Sequence, residues 1–242
     1  GFDSTWKDPL DILAMLEAPQ PGVRLVGQRL AERAGTSMLP LLLQRAQNPD
    51  HAVARLHALW AIGNMTPREL SHQIPYGWME QMLKDPQHGI SQHTTDLIHK
   101  VFGTDLTQLL LEHLPEASPT LRYGILTALA NQNQVIPLQE LVKGNFSHDP
   151  ALKHATARAL FDGLTSGEFS WEQVEGLPPL EKQLAIGELG LKVLDEHLVS
   201  YLDSMDIHVR FALADGLYRQ GSAGSMQMLV SWAKGFLSNS SS

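Results

Sequence analysis

Eleven histidines are the residues with the most obvious capacity for chemistry, since imidazole binds metals and exchanges protons near neutral pH. Three pairs stand six apart: His51 with His57, His93 with His99, and His148 with His154. Six residues turn a helix through about 600°, so the two rings of a pair diverge by roughly 120° and cannot close on one ion. The spacing of four that sets two ligands on one face, as in H-E-x-x-H, is absent. Exposed or packing histidines are the expectation, with no metal and no cofactor.

Other constellations are equally spare. Asp195 and Glu196 are adjacent and point different ways on a helix, as carboxylates on a solvated face do. Gly187-Glu188-Leu189-Gly190 has no strand ahead of it, so its glycines read as close helix packing or a kink rather than a phosphate loop. No nucleophile elbow is present. The chain has no cysteine, which removes disulfides, thiolate metal sites, covalent haem attachment and cysteine nucleophiles together.

Eighteen basic against 26 acidic residues give a formal charge of -8, a field that repels polyanions. Without a basic run, nucleic-acid binding is not expected. No apolar stretch approaches the roughly 20 residues that span a bilayer, so membrane insertion is not expected either. The chain opens on Gly1-Phe2-Asp3-Ser4, polar and without methionine, which reads as a processed or excised segment lacking a signal peptide. Residues 238–242 read as a flexible tail or the start of a linker.

The elements that would position any site follow from a repeat. An aliphatic residue followed by a basic one, as in Val23-Arg24, recurs with related positions at Arg55, Ser91, Arg122, Lys153, Lys182 and Arg210. The spacings are 31, 36, 31, 31, 29 and 28 residues. Seven places after each anchor stand Ala31, Ile62, Ile98, Leu129, Leu160, Leu189 and Leu217. Three places after come Gly27, Ala58, Thr94, Ile125, Thr156, Ala185 and Leu213, mostly small or apolar. Offsets of -1, +3 and +7 share one helical face, so each repeat opens with an amphipathic helix. Asn48-Pro49, Asp85-Pro86, Ser118-Pro119 and Asp149-Pro150 supply a capping side chain followed by proline as the first helical residue.

Between these helices lie shorter apolar segments at 38–46, 76–84, 106–114, 135–143, 193–202 and 226–236. A fifth-repeat segment at 169–174 is brief and flanked by Gly167 and Gly176. No strand pattern appears. The expectation is an all-α chain of about fourteen helices in seven antiparallel pairs.

Through Pro21-Gly22-Val23-Arg24, Ala54-Arg55-x-x-Ala58, Leu121-Arg122 and His208-Val209-Arg210-x-Ala212, the sequence resembles HEAT-repeat (armadillo-like) proteins over nearly its whole length. The resemblance implies a right-handed α-solenoid of about seven helix pairs, one array over residues 1–237. Ser91 departs from the basic anchor, and the polar helix it belongs to, 90–102, makes that repeat's neighbours the least certain. HEAT arrays commonly dock ligands along their second helices. This makes Tyr76, Trp78, Met79, Met82 and Trp171 candidate partner contacts. The alternative is core packing: Trp78 and Met82 are four apart and can both face the first helix.

Three enzyme groups share HEAT-like architecture. Deoxyhypusine hydroxylase binds iron through His-Glu dipeptides, which this chain lacks; Glu112-His113 and Glu196-His197 run in the reverse order. DNA glycosylases of this type need a cationic groove, which the charge balance opposes. Bilin lyase subunits carry the accepting cysteine on the partner, so its absence here leaves that reading open. Val23 to Arg33, Ala54 to Ile62 and Val209 to Leu217 are also similar to the HEAT segments of large exported planctomycete-type proteins with dehydrogenase-like and cytochrome c-type domains.

The resulting expectation is a non-catalytic scaffold that docks a protein partner or adjacent domains of a larger, redox-active polypeptide. That origin would place it outside the cytoplasm; otherwise it is cytoplasmic. The alternative is an enzyme or enzyme subunit with a concave-groove site, bilin-lyase-like or DNA-glycosylase-like.

Overall fold

A computed structural model describes residues 8–65, 68–134, 136–143, 149–193 and 196–239. The protein is all-α: no strand occurs among the described residues. The chain divides into two compact units, Gly1–Gln134 and Val135–Ser242. Unit 1 contains α1 (Pro9–Leu16), α2 (Pro21–Ala34), α3 (Leu39–Gln47), α4 (Ala52–Met65), α5 (Tyr76–Leu83), α6 (His88–Leu97), α7 (Thr107–His113) and α8 (Pro119–Asn131). Unit 2 contains α9 (Leu138–Val142), α10 (Pro150–Ser166), α11 (Trp171–Glu175), α12 (Pro179–Gly190), α13 (Glu196–Ser200), α14 (Ile207–Gln220) and α15 (Ala223–Asn239).

Every anchor position lies on one of the longer helices: α2, α4, α6, α8, α10, α12 and α14. In unit 1, α2, α4, α6 and α8 form a row, each against the next; in unit 2, α10, α12 and α14 do the same. The seven residues at +7 are all fully buried, from Ala31 to Leu217. Those at +3 are buried as well. Burying a leucine or isoleucine side chain is worth about 1.5–3 kcal/mol, so these two positions form the spine of each unit's core.

The capping signals divide. Ser118 accepts from the backbone N–H of Leu121 at 3.3 Å, and Asp149 accepts from Ala151 at 2.9 Å, with proline next in both. Asn48 and Asp85 act earlier than the sequence suggests. Their side chains accept from the N–H groups two residues on, Asp50 at 3.0 Å and Gln87 at 2.9 Å. This closes an Asx turn before the helix rather than capping it, and α4 starts at Ala52, not at Pro49.

α1 precedes the first anchor and repeats none of its phrases, yet it opens on the same signal: Asp8 accepts from Leu10 at 2.9 Å and Pro9 follows. With α1 present, the three arginine anchors of unit 1 share one task. Arg24 donates to the carbonyls of Ala18 and Pro19, both at 2.8 Å; Arg55 to Ala46 at 2.7 Å; and Arg122 to Leu114 at 3.1 Å. Each guanidinium therefore satisfies unpaired carbonyls just beyond or at the end of the preceding short helix, α1, α3 or α7.

The polar third repeat is buried in spite of its composition. Thr94 and Thr95 donate back to the carbonyls of Ile90 and Gln92 at 2.8 and 2.6 Å, so their hydroxyls enter the core already paired. α6 then widens into a π turn, Ile98–Phe102, which ends at Gly103 with φ of 56°. In the fifth repeat the ring of Phe169 folds over Gly163, where any β-carbon would collide with it. The short α11 follows under a capping box from Ser170 and Gln173.

The closest helix crossing joins α12 to α14. A β-carbon on Gly216 would strike the carbonyl oxygen of Gly187, and one on Gly190 would lie 3.0 Å from a Leu213 methyl. The Gly187–Gly190 segment thus serves close packing. Beside it, Glu188 is buried, its Oε1 3.9 Å from Arg219 and its Oε2 without a hydrogen-bond partner among the described residues.

Burial pushes the Glu188 carboxyl above its usual range, opposed by Arg219 and Lys153 and reinforced by Asp215. A carboxyl raised in the folded chain favours folding at low pH and loses that contribution as pH rises through its folded value. Glu188→Gln is therefore expected to raise the melting temperature at pH 7, by roughly 2–4 °C for about 1 kcal/mol. The gain should vanish below the carboxylate range. Melts of both proteins at pH 7 and pH 3 check this; an unchanged or lower value at pH 7 contradicts it.

Candidate functional site

In unit 1 the candidate contacts on α5 separate by face. Trp78, Met79 and Met82 are 6, 0 and 1% exposed, in the core rather than on a docking surface. The Trp78 indole N–H donates to the carbonyl of Leu43 at 3.1 Å, tying α5 to α3. The core alternative describes these three. Tyr76, one turn before Glu80 at the start of α5, is 53% exposed and is the member of the group that a partner can reach.

His51 and His57, the first of the three pairs, point apart. His51 stands 3.8 Å from Glu17, which also pairs with Arg45, whereas His57 turns inward and meets the Gln28 amide oxygen at 2.8 Å. Gln28 spends its own N–H on Glu32 at 2.8 Å, so Nδ1 of His57 carries the proton. Burial, and then the charge on Arg24, hold this ring below the usual histidine range, which leaves it neutral at pH 7. Trp60 sits edge-on to both His57 and His93, with ring centroids 5.1 and 5.3 Å away. His148 lies outside the described residues. Among the described residues no three histidine, aspartate or glutamate side chains converge as a metal site would require.

Unit 2 builds more around Trp171 than the sequence suggests. Two short second helices, α11 and α13, present matching rows of side chains one turn apart. Trp171 stacks on His197, centroids 5.5 Å apart and planes 13° from parallel. One turn further along, Tyr201, at the start of the 3-10 turn Tyr201–Asp203 that follows α13, hydrogen-bonds to Glu175 at the end of α11. Lys182, on α12, closes the group with its ammonium 3.1 Å from the Glu175 carboxylate. A cleft of about 240 Å³ opens beside them, bordered also by Ser200, Ser204 and Asp206.

Glu175 and Tyr201 perturb one another. The Tyr201 hydrogen bond first, and Lys182 with it, hold Glu175 below the usual carboxylate range against a smaller opposing effect of burial. Burial, then the Glu175 carboxylate, push the Tyr201 hydroxyl well above the usual phenol range. Glu175 is thus ionised at neutral pH, and Tyr201 keeps its proton and donates its hydrogen bond to the Glu175 carboxylate. The arrangement sets an ion pair and a phenol hydrogen bond beside a stacked aromatic pair. Glu175, Tyr201 and His197 carry no sequence motif; the only trace is the shared spacing of four, 171 to 175 and 197 to 201.

No known protein family matches the chain, and no curated protein matches it. No helix among the described residues is long and apolar enough to cross a membrane.

Proposed function

We propose that the chain is a non-catalytic HEAT-like scaffold, a right-handed α-solenoid of about seven helix pairs, that docks a protein partner or neighbouring domains of its own polypeptide. The observation that carries this reading is the recurrent fastening of an anchor arginine to the carbonyls ending the preceding helix, at Arg24, Arg55 and Arg122. A repeated device for stacking helix pairs is what an array uses to extend a surface. The docking surface in unit 2 is the edge of α11 and α13, where the stacked rings of Trp171 and His197 give a flat aromatic pair and Glu175 a negative charge. Tyr76 is the corresponding contact in unit 1.

The test is affinity capture from extracts of the source organism with mass spectrometry, alongside metal and chromophore analysis of the purified protein. The expected result is a stoichiometric protein partner whose affinity falls at least tenfold in Trp171→Ala, since a central tryptophan contact is worth about 2 kcal/mol or more. Helix content and melting temperature should stay within error. A stoichiometric metal or coloured ligand, or a partner bound equally by Trp171→Ala and Tyr76→Ala, would overturn the proposal.

A further inference from the structure

We propose that the outer face of α14 is a self-association surface that takes a second copy of this chain, with the two α14 helices packed antiparallel about a two-fold axis. In the six other anchor helices the residue four places after the anchor is buried: Gln28, Leu59, Thr95, Leu126, Ala157 and Ile186. That position faces along the row of long helices. Its counterpart on α14, Ala214, is only partly buried.

The exposed residues around Ala214 are large and apolar. Ile207, Phe211 and Tyr218 are 50, 66 and 66% exposed, and Met205 just before the helix is 97% exposed. Residues 207, 211, 214 and 218 are spaced 4, 3 and 4, which places them on one stripe about 16 Å long. The opposite side of the helix, Leu213, Gly216 and Leu217, is occupied by the crossing with α12. The row of helices therefore continues to an apolar face that unit 2 leaves uncovered.

The stripe fits a copy of itself. Spacings of 4, 3 and 4 read the same in either direction, so an antiparallel pairing centred between residues 212 and 213 sets Ile207 opposite Tyr218. It also sets Phe211 opposite Ala214. A large ring meets a small side chain at two symmetric points, the alternation that lets facing helices interdigitate. An isologous contact of this kind closes at two copies. Side chains of this size bury on the order of 500 Å² per copy, below the roughly 800 Å² per partner of a standard stable interface. The dimer is accordingly concentration-dependent.

Sedimentation equilibrium of the full chain from about 5 to 500 µM tests the idea. The average mass should rise from 26.7 kDa towards twice that value. Phe211→Asp should hold it at the monomer value throughout, with an unchanged circular dichroism spectrum because the residue is exposed. Geometry is read separately, since a chain without cysteine can be labelled at will. Ile207→Cys mixed with Tyr218→Cys should form a disulfide-linked heterodimer, and neither variant alone should cross-link. A monomer at every concentration overturns the proposal, as does self-association that Phe211→Asp leaves intact, or cross-linking of Ile207→Cys to itself.

Discussion

Leu160→Asp and Leu217→Asp are each expected to abolish cooperative melting of unit 2. Leu160, on α10, is 0% exposed, and Leu217, on α14, is 1% exposed. Removing the buried aliphatic groups alone costs about 2–5 kcal/mol. A carboxylate at either place also loses its hydration without gaining a partner, which adds several kcal/mol more. The sum is comparable with the whole stability of an ordinary domain, about 5–15 kcal/mol. Leu180→Asp supplies the control: it stands on α12 of the same unit but is 62% exposed, so its melt should match the parent within about 0.5 kcal/mol. Thermal denaturation followed at 222 nm reads all three. Cooperative melting retained in both Leu160→Asp and Leu217→Asp would contradict the packing register built on the anchor positions.

That register is the part of the fold most legible in the sequence. A helix that buries one stripe against two neighbours needs apolar or small residues at fixed offsets, and the +3 and +7 positions obey this even where the anchor itself is Ser91. What escapes the pattern depends on tertiary partners. α1 lies a full segment before the first anchor and repeats no phrase, yet it is held by Asp8 at its start and followed by Arg24 on the carbonyls beyond its end. Asn48 and Asp85 look like N-caps because the residue types are right, but a turn two residues long intervenes. Thr94 and Thr95 look too polar for a core until their hydroxyls are seen bonded to their own helix.

The candidate site was less legible, for a related reason. Trp78, Met79 and Met82 have the residue types that interfaces favour, and cores favour the same types. Only the carbonyl of Leu43, waiting across the gap between α3 and α5, shows that the indole N–H of Trp78 can be buried without penalty. In unit 2 the opposite happened: Glu175 and Tyr201 are 26 positions apart and unremarkable until α11 and α13 lie side by side. Lys182 stands at an anchor position, but instead of reaching a backbone carbonyl it meets the Glu175 carboxylate. At this anchor the ammonium borders the cleft rather than the end of a helix.

Arg55→Met is expected to cost unit 1 about 3–5 kcal/mol, the range for breaking a buried ion pair from one side. Arg55 is 2% exposed, and its guanidinium meets three residues at once. It bonds the Ala46 carbonyl at the end of α3 at 2.7 Å, the Gln87 side chain ahead of α6 at 2.9 Å, and both oxygens of Asp85. Methionine keeps much of the aliphatic stem, so the loss falls on the charge and its hydrogen bonds rather than on packing. It leaves a buried carbonyl unpaired and a partly buried carboxylate without its cation. Arg55→Met with Asp85→Asn should recover part of the loss, because the second change removes the stranded charge while keeping an acceptor for the Gln87 N–H, 2.9 Å away. Arg24, which is less buried, should cost about 1–2 kcal/mol when replaced in the same way. Urea unfolding of the two single variants and the double variant measures these differences. If Arg55→Met lies within 1 kcal/mol of the parent, or the double variant is no more stable than Arg55→Met alone, the anchor arginine is not what fastens successive helix pairs.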